Sequence, residues 1–329
     1  MRILIIRLSA IGDVILTSSL FNDLNKEDTK VDLLTDKSIA TIFKEDPRLN
    51  KVMEVDKKKL SFRGIKELAA TLKKEKYDFV FDLHAIPKTK LLTKLLPFKT
   101  ITYNKRSFLR REILIFKFLK RKYNLYVPEL YAEALRKAGI KIQKNPTPYI
   151  PIPDNVEETI SKYLPPMKFI VIAPGGKWEG KIYPPEKFKK VGDTFKKLGY
   201  AVITVGGEED IEAGQEIAGS DRFNLCGKLS LIESMAVIKH ARAVICNDSS
   251  VTHMARAVKT KVAVIYGATH PCFGFAPLPE EGIVIRKDLP CNPCSLHGKV
   301  RCFDRKCLDI SPKDVVKHTL EMMIKSGVD

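Results

Sequence analysis

The chain lacks any apolar run approaching the ~20 residues that a membrane-spanning helix requires. Its apolar N-terminal stretch is interrupted by Arg7 and Asp13 and has no small-residue cleavage site after it, so it does not have the pattern of a signal peptide. Carboxylates are scarce beside cations, 39 against 57, which leaves a formal net charge of +18. These absences predict a cytoplasmic protein attracted to an anionic partner, whether nucleic acid, a membrane surface or a phosphorylated substrate.

The length of 329 residues is enough for about two domains. Residues 145–153 carry four prolines in nine positions, a composition typical of an extended linker. We therefore predict a first domain over residues 1–153 and a second over residues 154–310. Residues 311–329 are expected to form a C-terminal helix that packs back on the first domain.

Short apolar runs alternate with helix-like stretches in both halves, which predicts parallel sheets built from βαβ units. In the first half the predicted strands are 3–6, 31–34, 51–55, 79–83 and 100–103, and the predicted helices are 14–25, 38–44, 65–74 and 123–139. In the second half the predicted strands are 169–173, 201–205, 244–246 and 262–266, and the predicted helices are 184–198, 211–218, 231–240 and 251–258. The chain is thus expected to fold into two doubly wound α/β domains that face each other across a cleft.

The first predicted strand runs directly into Ser9-Ala-Ile-Gly-Asp13 and then into a helix. Asp13 is therefore expected at the carboxyl end of a strand, where open α/β sheets bind ligands. A simple helix-start role explains Asp13 equally well.

Three segments of the second half follow predicted strands and have ligand-binding composition. Cys246-Asn-Asp-Ser-Ser-Val-Thr-His253 places Asp248, Ser249 and Ser250 at a helix start, where free N–H groups suit a diphosphate, with His253 one turn further on. A helix cap accounts for Asp248 and Ser249 alone, and His253 is open to interpretation as a core residue. The other two segments are Ala173-Pro-Gly175-Gly176 with Lys181 after it, and Gly206-Gly207; glycine permits close backbone approach and lysine suits phosphate.

Residues 105–122 are strongly basic, with a single acid, Glu112. Drawn as one helix, the segment puts Phe108, Ile115 and Leu119 on one face and Arg110, Lys117 and Arg121 on another. That pattern is typical of a membrane-surface or anion-binding helix, and equally of a core helix with a solvated basic back.

Four cysteines fall close together, Cys291, Cys294, Cys302 and Cys307. In a cytoplasmic protein such a cluster favours structural zinc over disulfides, although free thiols or one disulfide also fit the spacing. Cys226, Cys246 and Cys272 have apolar surroundings typical of packing residues. Trp178 suits stacking on a base or covering the nearby glycine turn, and the sequence does not distinguish the two.

Three motifs resemble those of glycosyltransferase family 9, the ADP-heptose:lipopolysaccharide heptosyltransferases. They are Ser9-Ala-Ile-Gly-Asp13, Lys181-x-x-Pro184, and Asn247-Asp-Ser-Ser-x-x-His253 preceding Val264-Ile-Tyr-Gly267. The resemblance covers nearly the whole chain and implies a GT-B architecture of two Rossmann-like domains, with acceptor in the first and nucleotide sugar mainly in the second. It also implies inverting transfer without a catalytic cofactor or metal, from an ADP-sugar to a lipid A-type anionic glycolipid, on the cytoplasmic face of the inner membrane.

The residues suit that chemistry. Asp13 would act as general base, with Ser9 and Gly12 beside the acceptor, and Arg110, Lys117 and Arg121 would hold the anionic acceptor. Gly175, Gly176, Gly206, Lys181 and the residues Asp248 to His253 would hold the nucleotide sugar and neutralise the leaving diphosphate. The chain has no Asp-x-Asp pair for a metal-diphosphate clamp, and it has Asp248-Ser-Ser250 where the family usually has Asp-Thr-Gly.

Two other functions remain open on the sequence. One is a family-9 transferase that moves another sugar or builds another surface glycan. The other is a basic nucleic-acid-binding protein with a zinc module, although the chain lacks an RNA-recognition signature. The sequence does not distinguish addition of a first heptose from addition of a second.

Overall fold

Apolar strands that are fully buried near the middle of each sheet, alternating with helices, organise both halves of the chain. The structure is a computed structural model, and it describes residues 1–26, 28–299, 302 and 304–327. The chain divides into two compact units. The first unit comprises Met1–Ser107 and Val127–Pro151, and the second comprises Phe108–Tyr126 and the chain from Ile152 onward.

The first unit is built on a parallel sheet of five strands in the order β3-β2-β1-β4-β5. Its strands are β1 (Arg2–Ile6), β2 (Lys30–Asp36), β3 (Lys51–Val55), β4 (Phe79–Asp82) and β5 (Lys99–Thr102). Its helices are α1 (Ile11–Ile15), α2 (Phe21–Leu24), α3 (Lys37–Ala40), α4 (Phe62–Lys73), α5 (Pro87–Lys94) and α7 (Val127–Arg136). Helix α6 (Ser107–Ile115) lies between α5 and α7 in the chain but, from Phe108 onward, belongs to the second unit. The central strand β1 is buried from Ile3 to Ile6 because strands flank it on both sides.

The second unit repeats this design with the strand order β10-β9-β8-β6-β7, again parallel throughout. Its strands are β6 (Phe169–Ala173), β7 (Ala201–Thr204), β8 (Val244–Asn247), β9 (Val262–Ile265) and β10 (Gly282–Ile285). Its helices after α7 are α8 (Asp154–Ile160), α9 (Pro185–Lys197), α10 (Ile211–Ala218), α11 (Leu231–His240), α12 (Ser250–Ala257) and α13 (Pro312–Lys325). The predicted class, two doubly wound α/β domains, is confirmed.

Two parts of the predicted domain organisation differ from the structure. The basic segment Phe108–Tyr126 belongs to the second unit although it lies between β5 and α7 in the chain. Helix α13, which was expected to pack on the first domain, packs against α9, β9 and β10 of the second unit. Its buried side chains, among them Val315 and Met323, are part of the same apolar core as Phe188 and Phe195 of α9.

The predicted helix over residues 14–25 is broken into α1, a 3₁₀ turn over Leu16–Leu20, and α2. Thr17, Ser18 and Ser19 explain the break, because each hydroxyl donates to the carbonyl three residues earlier. Such side-chain bonds compete with the regular helical pattern. Helices α5 and α8 and strand β10 were not predicted. Among the described residues, no helix is both long and apolar enough to cross a bilayer.

Candidate functional site

Each sheet has a topological switch point at which the connections leave on opposite sides. In the first unit it lies between β1 and β4, and in the second between β6 and β8. Ligands of open α/β sheets bind outside the carboxyl ends of the strands at such a point. Asp13 follows β1, Gly175 follows β6 and Asp248 follows β8, so these predicted site residues lie at the two switch points.

In the first unit the carboxylate of Asp13 is held by two donors. Arg7 Nη2 lies 2.7 Å from Asp13 Oδ1, and the backbone N–H of Ala10 donates to Oδ2 at 3.3 Å. The carboxylate remains about one-fifth exposed, so it is oriented and still reachable by a hydroxyl. Ser9 is half-buried and Gly12 is buried in the turn that leads to Asp13.

Arg7, which in the sequence only interrupts an apolar stretch, is a further candidate site residue. Its guanidinium is buried, donates to the carbonyl of Leu83 and to the hydroxyl of Tyr103, and lies 5.9 Å from the ring centroid of Tyr131. Burial alone would lower the pKa of Arg7, but Asp13 and the two tyrosines raise it above its ordinary value. A charged residue directly after a buried strand is the signal in the sequence that points to it.

His84, which follows β4, provides a neutral donor at the same edge. The backbone N–H of Leu8 donates to its Nδ1 at 3.3 Å, so the ring proton is on Nε2. Burial, with the charges of Arg7 and Lys105, lowers the pKa of His84 to about 3. Lys105 is also half-buried. Its burial, and then the charge of Arg7, lower the pKa of the Lys105 ammonium group. Neither residue was predicted for the site.

In the second unit Asn247, at the end of β8, connects three segments. Its Nδ2 donates to the carbonyls of Pro174 and Gly175, and its Oδ1 accepts from the backbone N–H of Tyr183. Asn247 is completely buried. It therefore fixes the glycine turn after β6 and the Lys181 segment relative to the β8–α12 turn, which brings two of the three predicted nucleotide-binding segments together.

Lys181 reaches Asp248 by its ammonium group. The Nζ to Oδ2 distance is 2.8 Å, and Nζ also donates to the Asp248 carbonyl at 3.2 Å. The same Oδ2 accepts from the hydroxyl of Thr269 at 2.7 Å. Asp248 is thus a positioning residue for Lys181, and it places a positive charge beside the N-terminus of α12.

The start of α12 has donors that the helix itself does not use. Ser249 is the N-cap residue but its side chain makes no capping bond, and its buried Oγ has no hydrogen-bond partner among the described residues. Ser250 opens the helix and is half-buried. The first N–H groups of an α-helix have no intrahelical partner, and they attract anions.

His253 is buried on the first turn of α12, and Arg256 determines its tautomer. Arg256 Nη1 lies 3.3 Å from His253 Nδ1, and a guanidinium only donates, so the ring proton is on Nε2. Burial first, and then the charges of Arg256 and Lys181, lower the pKa of His253 well below its ordinary value. Arg256 is fixed in turn by Glu281 and the Tyr126 hydroxyl, each at 2.8 Å. His253 is therefore a neutral donor.

The glycine turns surround a carboxylate that the sequence analysis missed. Asp210 is half-buried, accepts from the backbone N–H of Gly207 at 2.9 Å, and lies against Gly175 and Gly206, where any side-chain carbon would clash with it. Burial raises the pKa of Asp210. A side chain at either glycine would displace this carboxylate, which adds a reason for glycine beyond backbone approach to a ligand. At Gly176 a side chain would crowd Ile182 instead.

The basic segment does not form the continuous helix that was predicted. The helical conformation ends at Ile115, and Phe116 has φ −102° and ψ 81° before a 3₁₀ turn over Lys117–Arg121. Arg110 donates to the Phe273 carbonyl at 2.9 Å and Lys117 to the Pro293 carbonyl, both within the second unit. The predicted shared face of Arg110, Lys117 and Arg121 is therefore wrong; of the three, only Arg121 is largely exposed.

The described residues of the cysteine segment do not form an assembled metal site. Cys291, Cys294 and Cys302 are exposed and Cys307 is buried, all as free thiols. In the described part of the chain no group of three metal-ligating side chains is close enough to hold an ion. The Cys294 thiol donates to the Cys291 carbonyl at 3.3 Å, and burial and then Cys291 raise the pKa of that thiol to about 11. Cys226, Cys246 and Cys272 are buried, as expected of packing residues.

Two Rossmann-like units, one with an oriented carboxylate and the other with a cation and free donors at a helix N-terminus, have the fold of the GT-B glycosyltransferases. The model of glycosyltransferase family 9 (heptosyltransferase) matches residues 65–301, and the chain belongs to that family. The match begins after the Asp13 motif and includes Lys181 and residues 247–253. The chain is therefore a glycosyltransferase, and the alternative of a nucleic-acid-binding protein is not favoured.

Individual proteins are similar to this chain over nearly the whole length of both sequences. The chain is 27% identical to lipooligosaccharide heptosyltransferase 2 of Haemophilus influenzae, with 99% of this chain and 100% of that protein covered. Its fold is similar to a family 9 glycosyltransferase from Veillonella parvula, with a TM-score of 0.80, 21% identity and coverage of 99% and 98%. It is also similar to E. coli ADP-heptose lps heptosyltransferase II, with a TM-score of 0.76, 20% identity and coverage of 99% and 100%.

Proposed function

We propose that this enzyme transfers heptose from ADP-heptose to the inner core of lipopolysaccharide, with inversion at the anomeric carbon. The names of the similar heptosyltransferases support the donor and the acceptor class. The observation that carries the proposal is the set of donors at the N-terminus of α12. The ammonium group of Lys181, the unused Ser249 hydroxyl and the Nε2–H of His253 together fit a diphosphate.

Asp13 acts as general base in this proposal. Its carboxylate takes the proton from the acceptor hydroxyl while that oxygen forms a bond to the anomeric carbon. The bond from the anomeric carbon to the diphosphate oxygen breaks, and its electron pair leaves with ADP. A single displacement of this kind inverts the anomeric configuration. Arg7 holds the carboxylate in place, and Ser9 and Gly12 shape the turn beside it.

The charge of the departing ADP is neutralised by residues of the second unit. Lys181 provides the cation, and α12 provides N–H groups where negative charge develops. Asp210 offers its Oδ1 as an acceptor for sugar hydroxyls of the nucleotide, because the one described hydrogen bond of its carboxylate, from the Gly207 N–H, goes to Oδ2. The proposal assigns this charge to side chains and backbone, so transfer is expected to persist in a chelator.

The acceptor class also suggests where the enzyme works. A lipid A-type acceptor is anchored in a membrane, and a protein with a net charge of +18 is attracted to an anionic surface. We place the enzyme at the cytoplasmic face of the inner membrane, as a peripheral protein.

A product assay tests this proposal. Purified enzyme is mixed with ADP-heptose and either Kdo-lipid A or heptosyl-Kdo-lipid A, and the product mass is measured. Addition of one heptose to one of the acceptors, abolished in Asp13→Asn, is the expected result and also identifies the step. Transfer from another ADP-sugar, with none from ADP-heptose, would support the family-9 alternative and overturn the proposal.

A further inference from the structure

The segment Phe108–Lys122 exposes a concentration of apolar side chains. Phe108 is 78% exposed, Ile115 71%, Phe116 51% and Phe118 71%. Elsewhere in the described chain the exposed large apolar residues stand apart in sequence, as Phe62, Leu198 and Ile211 do. We call the exposed side of residues 108–122 the 108–122 surface. A soluble protein rarely exposes such a patch without an interaction partner.

The backbone turns these side chains outward. On α6 the inward face includes Ile113, which is buried against Cys272 and Phe273. Phe108 and Ile115 are two turns apart on the opposite face of α6, and Arg111 lies between them. The break at Phe116 then exposes both Phe116 and Phe118, whose ring centroids lie 6.2 Å apart.

The remaining basic side chains of the segment fix this surface to the second unit. Arg110 and Lys117 donate to the carbonyls of Phe273 and Pro293. Lys120 is nearly buried and donates to Asp288 Oδ1 and to the carbonyls of Leu289 and Asn292 at 2.8 to 3.1 Å. The apolar side chains are therefore presented by a braced segment.

The exposed charged side chains of the segment itself are basic, and its one acid, Glu112, is half-buried. Arg111 and Lys122 are exposed, and Arg121 is 82% exposed, with its guanidinium 4.0 Å from an Asp288 that Lys120 and Arg286 already engage. Aromatic and aliphatic side chains with a basic rim suit the headgroup boundary of an anionic bilayer. Two copies of this surface would instead bring like charges together.

We propose that the 108–122 surface inserts Phe108, Ile115, Phe116 and Phe118 into an anionic lipid bilayer while Arg111, Arg121 and Lys122 contact the phosphates. This rests on the proposed function, because only a lipid-anchored acceptor requires the enzyme to work on a membrane. It differs from a purely electrostatic attraction, since apolar insertion persists at salt concentrations that screen the exposed charges.

Sedimentation with vesicles of phosphatidylethanolamine and phosphatidylglycerol tests the surface. Phe116→Ser/Phe118→Ser should lower vesicle partitioning about tenfold or more. Both side chains are exposed, so the fold and melting temperature should be retained. Phe62→Ser/Ile211→Ser removes two apolar side chains elsewhere that are 59% and 47% exposed, and it should leave vesicle partitioning unchanged. Arg111→Gln/Lys122→Gln should weaken binding and reduce its salt dependence.

A depth probe gives an independent readout. The native Trp178 is replaced in Trp178→Phe, and Phe118→Trp is added to that background. Brominated acyl chains should quench the new tryptophan on vesicle binding, whereas Phe62→Trp in the same background should stay unquenched. Equal emission of the Phe118→Trp protein on brominated and unbrominated vesicles would overturn insertion.

Kinetics separate this inference from the proposed function. For Phe116→Ser/Phe118→Ser, transfer to a deacylated, water-soluble acceptor should equal that of the parent, while transfer to the acceptor embedded in vesicles should fall. Loss on both acceptors would mean that the surface binds the sugar, and a dimeric parent that becomes monomeric with unchanged vesicle binding would make it a self-association surface; either overturns insertion. A parent that binds vesicles through these residues but transfers no heptose would disprove the function and leave the surface standing.

Discussion

At the residue scale, the ion pair between Arg7 and Asp13 joins structure to the proposed chemistry. Arg7 has little exposure, and its two described oxygen partners besides Asp13 are the Leu83 carbonyl and the Tyr103 hydroxyl. Asp13 is the partner that carries the opposite charge. The pair therefore orients the carboxylate and at the same time compensates a buried cation.

Asp13→Asn tests the role of the carboxylate. Turnover should fall about 10²- to 10⁴-fold, because the amide cannot take the acceptor proton. ADP affinity, measured by calorimetry, should stay at the parental value, because the donors assigned to the diphosphate are all in the second unit. Turnover within a few-fold of the parent would leave Asp13 as a helix-start residue only.

His253 acts as a neutral donor because Arg256 occupies its Nδ1. Its contribution to ADP binding should therefore not change across the ordinary histidine range. The ratio of the ADP dissociation constants of His253→Ala and parent should be about tenfold and constant from about pH 5.5 to about pH 8. Taking the ratio cancels the ionisation of ADP itself.

His253→Gln serves as the rescue variant, because a glutamine amide also donates a hydrogen bond, and it should recover part of the affinity. A ratio that shrinks toward one as the pH rises through about 6.5 would mean that His253 binds as a cation. His318→Ala, on the exposed side of α13, is a matched control.

At the element scale, the proposed diphosphate site depends on α12 and on the segment Phe108–Tyr126, which belongs to the same unit. The Tyr126 hydroxyl accepts a hydrogen bond from Arg256. The guanidinium carbon of Arg110 lies 5.3 Å from the ring centroid of Phe275, and the ring centroids of Phe275 and His253 are 6.2 Å apart. A segment that lies between β5 and α7 in the chain therefore supports the residues around His253 in the second unit.

Lys181→Ala tests the cation placed at α12. ADP affinity should fall roughly 10- to 100-fold, since a charge-assisted contact contributes about 1.5 to 3 kcal/mol. The melting temperature should fall as well, because the nearly buried carboxylate of Asp248 loses its counter-charge. Lys189→Ala, which removes an exposed lysine of α9, should leave both values unchanged. Parental ADP affinity in Lys181→Ala would place the diphosphate elsewhere.

The cysteine segment is a separate element whose zinc content stays a prediction. If the four thiols close around an ion, protein purified without chelator should contain about one zinc per chain. Cys291→Ser/Cys294→Ser should then lose the metal and melt at a lower temperature while the folded fraction keeps its activity. Protein that carries no metal and titrates with free thiols would make the segment a loop without a cofactor.

At the scale of the whole molecule, three buried histidines make stability depend on pH. The pKa is lowered to about 3 at His84 and about 4 at His270, and well below its ordinary value at His253, with burial the largest cause in each case. The unfolded chain binds protons at these groups below about pH 6.5, while the folded chain does not. The contribution of these histidines to the free energy of unfolding is complete above that pH. It is lost as the pH falls toward their pKa values in the folded chain.

The free energy of unfolding should therefore fall by about 1.4 kcal/mol per pH unit for each of these histidines below about pH 6. Urea titrations at several pH values measure the slope. His270→Gln, which removes one of the three buried rings, should reduce the slope by one such increment. An unchanged slope in His270→Gln would mean that the ring accepts a proton in the folded state.

The sequence by itself determined the two parallel sheets and the position of much of the site. Apolar strands followed by turn residues have local causes, so β3, β6, α10 and α11 fall where they were predicted. Candidate sites at the carboxyl ends of parallel strands follow from that pattern, which is why Asp13, Lys181 and Asp248 can be predicted as site residues from their places after strands. The spacing within residues 247–253 likewise needs only one helical turn.

Tertiary structure decided what depends on residues distant in the chain. Arg110 meets the Phe273 carbonyl 163 positions away, and Lys181 meets Asp248 67 positions away. Helical periodicity describes one element in isolation, so it grouped Arg110 with Lys117 and Arg121 and could not show that carbonyls of the second unit bind the first two. Asp210 beside Gly175, and Arg256 behind His253, are chosen by packing and by the need to pair buried polar groups. Those requirements exist only after the chain has folded.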